Sequence, residues 1–224
     1  MISVIIPTLN EQENISGCIE SIHAEGGDYE IIVCDGGSSD RTVDVVKACG
    51  GATLIKTEKG RGAQMNGGAE AAKGQVLLFL HADTRPEGGW SGAILSALED
   101  ESVAGGAFTL TIDNTACQYR LIESWVKLRC GIFGLPYGDQ GIFIRRKIFD
   151  RIGGYRDIPL MEDVEIIGRL KDEGRLVFLK KCVVTSDRRW VEKGWMRVWA
   201  MNQMIMLMYK FGVNPRILAR LYYR

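Results

Sequence analysis

Several things are missing from this 224-residue chain. No stretch rich in Pro, Gly and Ser divides it, which favours one domain over two joined by a linker. It has no excess charge. Lys+Arg and Asp+Glu both number 28, so the net charge is zero. That argues against a general nucleic-acid binder, which needs a basic face, though it leaves a local basic patch open. None of the six cysteines (Cys18, Cys34, Cys49, Cys117, Cys130, Cys182) forms a C-x-x-C pair, which argues against a zinc site. Reduced thiols in a cytosolic protein are the simplest account, with Cys34 a small buried residue inside an apolar run. No uninterrupted apolar run approaches the length of a membrane span. Met1 to Pro7 carries no basic region or cleavage site of a signal peptide. There is no internal repeat and no low-complexity tract. What is present, 46% hydrophobic residues, suffices for a full core.

The chain is organised around Gln75-Val-Leu-Leu-Phe-Leu-His-Ala-Asp83. Val76 to Leu80 reads as a strand buried on both faces, and it stops at a polar run ending in a carboxylate. In an open α/β sheet, ligands sit at the carboxyl edge of the strands, so Asp83 is placed at the lip of a crevice. There it serves either as a turn residue before Thr84-Arg85-Pro86 or as a carboxylate for a hard cation on a diphosphate.

In chain order, Ser3–Ile6 is a short buried strand closed by Pro7. Asn10 is a candidate N-cap for a helix that buries Ile15, Cys18, Ile19 and Ile22, with Glu11 and Glu13 in its first turn. Glu30–Cys34 is a second strand. It ends in the acidic, glycine-rich loop Asp35-Gly-Gly-Ser-Ser-Asp40, where Asp40 caps a helix through Val43 and Val46. Thr53–Ile55 is a third strand. The β-α-β-α-β order implies a layered, largely parallel sheet with right-handed crossovers. The loops at Asp35 and Asp83 then open on the same edge. Between them, Lys59 to Gly68 reads as a glycine-rich loop that brings backbone close to a ligand and offers the Arg61 fork, before a helix through Ala69 to Ala72. It is neither a P-loop nor a G-x-G-x-x-G after a strand.

Further on, Trp90–Leu98 reads as a helix, Val103–Ile112 as a strand and Ala116–Cys130 as a helix. Gly134 to Gly141 is rich in turn formers and reads as a mobile or substrate-facing loop. Gly141–Ile144 is a strand. Glu162 and Asp163 begin a helix, a placement that serves the dipole and the free amides and equally keeps a carboxylate ionised for use as a base. Leu176–Leu179 and Cys182–Val184 are strand-like. From Trp195 to Tyr209 the chain is apolar around most of a helical circumference. This helix either covers the core or lies on a membrane surface, and Arg216, Arg220 and Arg224 beside apolar residues add to the second reading.

Val4-Ile-Ile-Pro-Thr-Leu-Asn-Glu11, Asp35 to Asp40, Gly60 to Asn66, His81-Ala-Asp83 and Glu162-Asp163 together resemble family 2 glycosyltransferases in order and spacing, over residues 2 to about 175. Gly138 to Arg146 and Met161 to Glu165 resemble the compact bacterial subgroup associated with radical-SAM/selenodomain genes. The resemblance implies a glycosyltransferase A-type fold, a mixed, mostly parallel nucleotide-binding sheet flanked by helices with a C-terminal helical extension. It implies a donor half to about residue 112, an acceptor half to about 190 and a helical tail over 191–224. The donor would be a nucleotide-diphosphate sugar. Pro7, Thr8, Asn10, Glu11, Asp35, Gly37, Arg61, Asn66, His81 and Ala82 would form the nucleotide site. Asp83 would bind Mg²⁺ or Mn²⁺, Asp163 would be the base, and Glu162 would support it. Asp139, Gln140, Arg189 and Trp190 are candidates for acceptor or diphosphate contacts. His81 stands where the family's metal motif usually begins with Asp, and it adds no negative charge.

The implied activity is metal-assisted, inverting transfer of a sugar to a hydroxyl of a glycan, lipid or small molecule. A polyprenyl-phosphate sugar transferase, a nucleotidyltransferase and a non-catalytic sugar-nucleotide sensor are the rivals. A cytoplasmic location, at the inner face of the membrane if residues 195–222 make a membrane rather than a dimer contact, and no nucleic-acid partner complete the expectation.

Overall fold

A computed structural model describes residues 1–223. Four parallel strands form its first part: β1 (Ile2–Thr8), β2 (Tyr29–Asp35), β3 (Ala52–Lys56) and β4 (Val76–Phe79). They lie in the order β3-β2-β1-β4. The order reverses at β1, so a crevice opens between the loops that leave β1 and β4.

Alternation along these strands divides the core in two. Val4 and Ile6 of β1, with Leu78 of β4, face one side with the helix α1 (Ile15–His23). Ile5, Leu77 and Phe79 face the other, with the helix α3 (Arg61–Ala71). Both faces are dry, as the unbroken apolar run from Val76 implies, and each fully buried Ile or Leu contributes roughly 1.5–3 kcal/mol. The helix α2 (Thr42–Cys49) completes the first part and buries Val46.

The sheet continues through β5 (Thr84–Pro86), β6 (Val103–Ile112), β7 (Ile142–Arg145) and β8 (Arg175–Thr185), giving eight strands in the order β3-β2-β1-β4-β7-β6-β8-β5. β7 is antiparallel to β4 and β6, β6 and β8 are parallel, and β5 is antiparallel to β8. The helices here are α4 (Trp90–Ala97), α5 (Cys117–Phe133), α6 (Arg146–Arg151) and α7 (Glu162–Glu173). Three more follow β8: α8 (Arg188–Lys193), α9 (Trp195–Lys210) and α10 (Pro215–Tyr222).

Four local expectations are corrected. Asn10 is not an N-cap. It takes a left-handed φ of 57°, and α1 begins only at Ile15, after a turn. Asp40 precedes the capping position of α2, which is Arg41, while its carboxylate still accepts from Thr42 N at 3.0 Å. The glycine-rich stretch from Arg61 is helix rather than loop. A Cβ on Gly68 would lie 2.7 Å from Cys34 Sγ, and one on Gly62 2.7 Å from the Arg156 carbonyl. Gly68 lets α3 lie against β1 and β2, Gly62 lets it approach the Arg156 segment, and that packing outweighs their poor helix propensity. Finally, the two strand-like runs after Leu176 are one strand. Its register slips between the pairs Ala107–Phe178 and Thr109–Cys182, so the polar Lys180-Lys181 step is taken up as a bulge.

The apolar run from Trp195 forms a single helix, α9, as expected, and a turn with Gly212 at φ 81° separates it from α10. Asn214 caps α10, accepting from Arg216 N at 2.9 Å, with Pro215 in the first turn. Ile205, Met206, Leu218 and Ala219 pack on Leu160 and Met161, the residues that lead into α7.

Candidate active site

The loops after β1 and β2 are tied to each other by backbone–side-chain bonds. Asn10 Oδ1 accepts from Ser39 N at 2.8 Å, and Asn10 N donates to Ser38 Oγ at 2.9 Å. Gln12 and Asp40 add a second pair of ties. The buried Asp35 carboxylate accepts from Gly37 N and Ser38 N at 3.1–3.2 Å. Gln64 of α3 reaches under both loops, its amide donating to the Thr8 and Cys34 carbonyls at 2.8 Å each. This edge is therefore shaped before any ligand arrives.

Beside it lies a cavity of about 280 Å³. Its floor and walls include Glu11, Arg61, His81, Asp83, Glu162 and Asp163. Asp139, Arg189 and Trp190 also line it. Residues just after β1 and β4 and at the starts of α3 and α7 thus meet in one space, although Glu11 and Asp163 stand 152 positions apart in the chain. Pro7 borders a small void behind the cavity, next to His81 and Asp163. Thr8, Asn10, Asp35, Gly37 and Ala82 lie outside the cavity wall, the first four along the neighbouring loop edge. Two expected site residues are committed elsewhere. The Asn66 side chain exchanges hydrogen bonds with the Tyr155 backbone, both at 2.8 Å. Gln140 is buried, accepting from Arg129 at 2.9 Å and donating to the Phe108 carbonyl at 3.1 Å.

Asp163 stands at the first turn of α7, which follows a left-handed residue, Met161, at φ 70°. Its Oδ1 accepts from Val164 N and its Oδ2 from Gly138 N, both at 2.8 Å. The carboxylate is fixed in orientation by backbone donors and still faces the cavity. Glu162 is almost fully buried and pairs with Arg61 at 3.6 Å. Burial first, then the adjacent Asp163, raises its pKa, and Arg61 opposes the rise. Burial and the Arg61 charge push His81 down to about 3, so its imidazole is neutral at pH 7.

The segment expected as a mobile or substrate-facing loop is pinned. Arg129 donates to the Leu135 carbonyl at 2.9 Å and lies 3.4 Å over the Tyr137 ring. Gln140 anchors its far end. What faces the cavity is Tyr137, Gly138 and Asp139. A Cβ on Gly138 would come within 3.0 Å of His81 Nε2 and 3.6 Å of Asp163 Oδ2, so this position keeps the space between them open. Asp139 Oδ1 is buried and has no hydrogen-bond partner. Burial, then Asp163 and Asp83 against the pull of Arg129, lifts the Asp139 carboxyl to about 6.

Several lining residues had no signal in the sequence. Arg188 pairs with Glu11 at 3.1 Å and ties α8 to the loop after β1. Val198, Asn202, Ile205 and Tyr222, from α9 and α10, form one wall. Tyr222 donates to Asn202 Oδ1 at 3.2 Å, and the Arg189 guanidinium lies 4.4 Å from its ring. The helical tail is part of the site.

A carboxylate-lined cavity beside the point where the strand order reverses lies where open α/β sheets hold their ligands. The model of Glycosyl transferase family 2 matches residues 3–156, more than half of the sequence, and the chain belongs to that family. The fold agrees. The mannosyltransferase PcManGT from Pyrobaculum calidifontis, solved in complex with GDP-Man and Mn²⁺, superposes with a TM-score of 0.74 over 99% of this chain and 69% of that one, at 18% identity. S. aureus TarS 1-349 superposes at 0.66 over 83% and 60%, at 16% identity. The fold is the glycosyltransferase A type. Among curated proteins, a PGL/p-HBAD biosynthesis glycosyltransferase of Mycobacterium bovis is 41% identical over 90 residues, covering 37% of this chain and 35% of its own. Glycosyltransferase AglE of Haloferax volcanii is 30% identical over 139 residues, covering 57% and 46%. The matches span less than half the length of these two relatives.

Proposed function

We propose that the protein transfers a sugar from a nucleotide-diphosphate sugar to an acceptor hydroxyl, with inversion at the anomeric carbon. One observation carries this reading: Asp83, Asp163 and Arg61 line a single cavity beside a preformed loop edge. The tied loops at Thr8, Asn10, Asp35 and Gly37 take the nucleoside, and Glu11 and Arg61 take the end of the nucleotide nearest the cavity. The names of the relatives and the GDP-Man and UDP-GlcNAc bound by solved neighbours support a donor of this class. Gly138 to Arg146 and Met161 to Glu165 support membership of the compact radical-SAM/selenodomain-associated subgroup.

A divalent cation fits the residues present. Among the described residues no three His, Cys, Asp or Glu side chains form a ready cage. A Mg²⁺- or Mn²⁺-type ion needs no such cage when one carboxylate and the phosphate oxygens of a bound donor hold it, and Asp83 supplies that carboxylate. When bound, the ion supplies charge neutralisation for the departing nucleoside diphosphate. The neutral His81 contributes no charge to that site.

Asp163 takes the proton of the acceptor hydroxyl as oxygen attacks the anomeric carbon. Its two backbone hydrogen bonds hold it in one orientation, and Glu162 and Arg61 fix the turn beside it. Asp139, with a free buried oxygen, accepts from a second acceptor hydroxyl. Arg189 and Trp190 close the acceptor side with the tail. A lipid-phosphate acceptor is the second reading, favoured by the apolar Val198 and Ile205 in that wall. It needs no base, so Asp163 would only position it.

The test is donor turnover. Sugar nucleotides are incubated with Mn²⁺, with and without sugar or lipid acceptors. The reading requires release of nucleoside diphosphate. Release of pyrophosphate would indicate a nucleotidyltransferase, and binding with no turnover across donors and acceptors a sensor.

A further inference from the structure

The large apolar side chains left exposed are unevenly distributed. Apart from Met1 and Leu95, all lie on α5 or after Trp190. On α5 they form a stripe, Leu121, Trp125, Leu128 and Ile132, at the spacing of one helix face, with Leu128 51% and Ile132 63% exposed. On α9, Met196, Met204, Leu207 and the following Phe211 run along one side, with Leu207 57% and Phe211 80% exposed. The C-terminal ends of the two helices are neighbours, the Lys210 ammonium lying 5.1 Å over the Phe133 ring. Single exposed apolar residues are ordinary, but contiguous rows on neighbouring helices mark a contact surface.

The charges on α9 and α10 are of one sign. No acidic residue follows Glu192, while Lys193, Arg197, Lys210, Arg216 and Arg220 do. Of the two exposed cations of α5, Arg120 pairs with the helix's only carboxylate, Glu123, at 2.8 Å, which leaves Lys127 uncompensated within the helix. In a chain with no net charge, this is a marked local excess. A second copy of the chain fits it poorly, since a two-fold contact would set a basic face against itself.

We propose that α5, α9 and α10 form a docking face for an anionic lipid bilayer. The apolar rows enter the acyl–headgroup boundary, Trp125 and Trp199 sit at its level, and the arginines and lysines pair with headgroup phosphates. Among the described residues no helix is long and apolar enough to cross a membrane, so the contact is with one leaflet. On α9 the exposed row lies on the side opposite Val198, Asn202 and Ile205, so this helix stands between the docking face and the cavity.

Vesicle co-sedimentation without nucleotide or metal tests this independently of the catalytic reading. The full chain should sediment with phosphatidylcholine vesicles containing about 30 mol% phosphatidylglycerol. Binding to pure phosphatidylcholine should be at least roughly tenfold weaker, and about 0.5 M NaCl should weaken the anionic binding several-fold. Leu128→Glu/Leu207→Glu should lose at least about tenfold in partition. Because that pair could disturb folding, Lys127→Glu/Arg216→Glu, at two exposed positions, should show a loss of the same order with the apolar rows intact. Wild-type protein left in the supernatant would overturn the proposal. So would charge-reversed protein that partitions as wild type, or a lipid-free dimer that the leucine pair converts to monomer.

Discussion

The two ends of the cavity are built differently. The loops after β1 and β2 are held by backbone donors and short side chains, with Gln64 beneath them. The wall made by α9 and α10 is held by a small apolar cluster, two aromatic–cation contacts and a hydroxyl bond. A ligand common to a whole family suits the first kind of construction, which spends little entropy on binding. The second is shaped by side chains alone, and substitution can remodel it without touching the sheet. On the proposed function, the contrast makes the donor end rigid and assigns the acceptor end to the tail.

The largest expected effect lies between the two ends. Asp163→Asn should lower transfer to a hydroxyl about 1000-fold while donor affinity stays close to wild type, because the loop edge is untouched. Equal losses in turnover and donor binding would erase the distinction. Gly138→Ala comes next. Its Cβ would press on His81 Nε2, so turnover should fall roughly tenfold with little change in melting temperature.

Leu218→Ala tests the tail. Leu218 is fully buried in the cluster that holds α10. The substitution should cost roughly 2–4 kcal/mol locally, visible as faster hydrogen exchange in α9 and α10, and raise acceptor KM while donor Kd stays put. A parallel rise in donor Kd would show that the two ends are one unit.

How much of this was legible depends on which interactions are local. β1, β2, β4 and β6 follow from apolar runs and alternation, and Asp83 and Asp163 stand where the strand end and helix start put them. The stretch Arg61 to Ala71 misled because its glycines answer to Ile5, Cys34 and Arg156, distant partners that no local pattern reveals. Asn66 and Gln140 look like ligand groups by type, but each is consumed by a backbone partner, Tyr155 or Phe108. Arg188 reaches the cavity beside Glu11 of the loop after β1, and Tyr222 because α10 packs on Leu160 and Met161, results of tertiary packing without a sequence signature.

A smaller effect concerns Asp139. Its folded-state pKa, about 6, stands above the ordinary 3.8. The stability this protonated group contributes is complete below 3.8 and is lost as pH rises through about 6. Above that, Asp139→Asn should be more stable than wild type by on the order of 1 kcal/mol. Denaturant midpoints at about pH 4 and pH 7.5 compare the two, and the advantage should shrink at the lower pH.

Calorimetric titration of a nucleoside diphosphate with Mn²⁺ into wild type, Asp83→Ala and Asp163→Asn separates the two carboxylates most directly. Asp163→Asn should keep wild-type affinity and Asp83→Ala should lose roughly 100-fold, a loss that vanishes when the metal is withheld. Undiminished affinity in Asp83→Ala, with Mn²⁺ present, would contradict it.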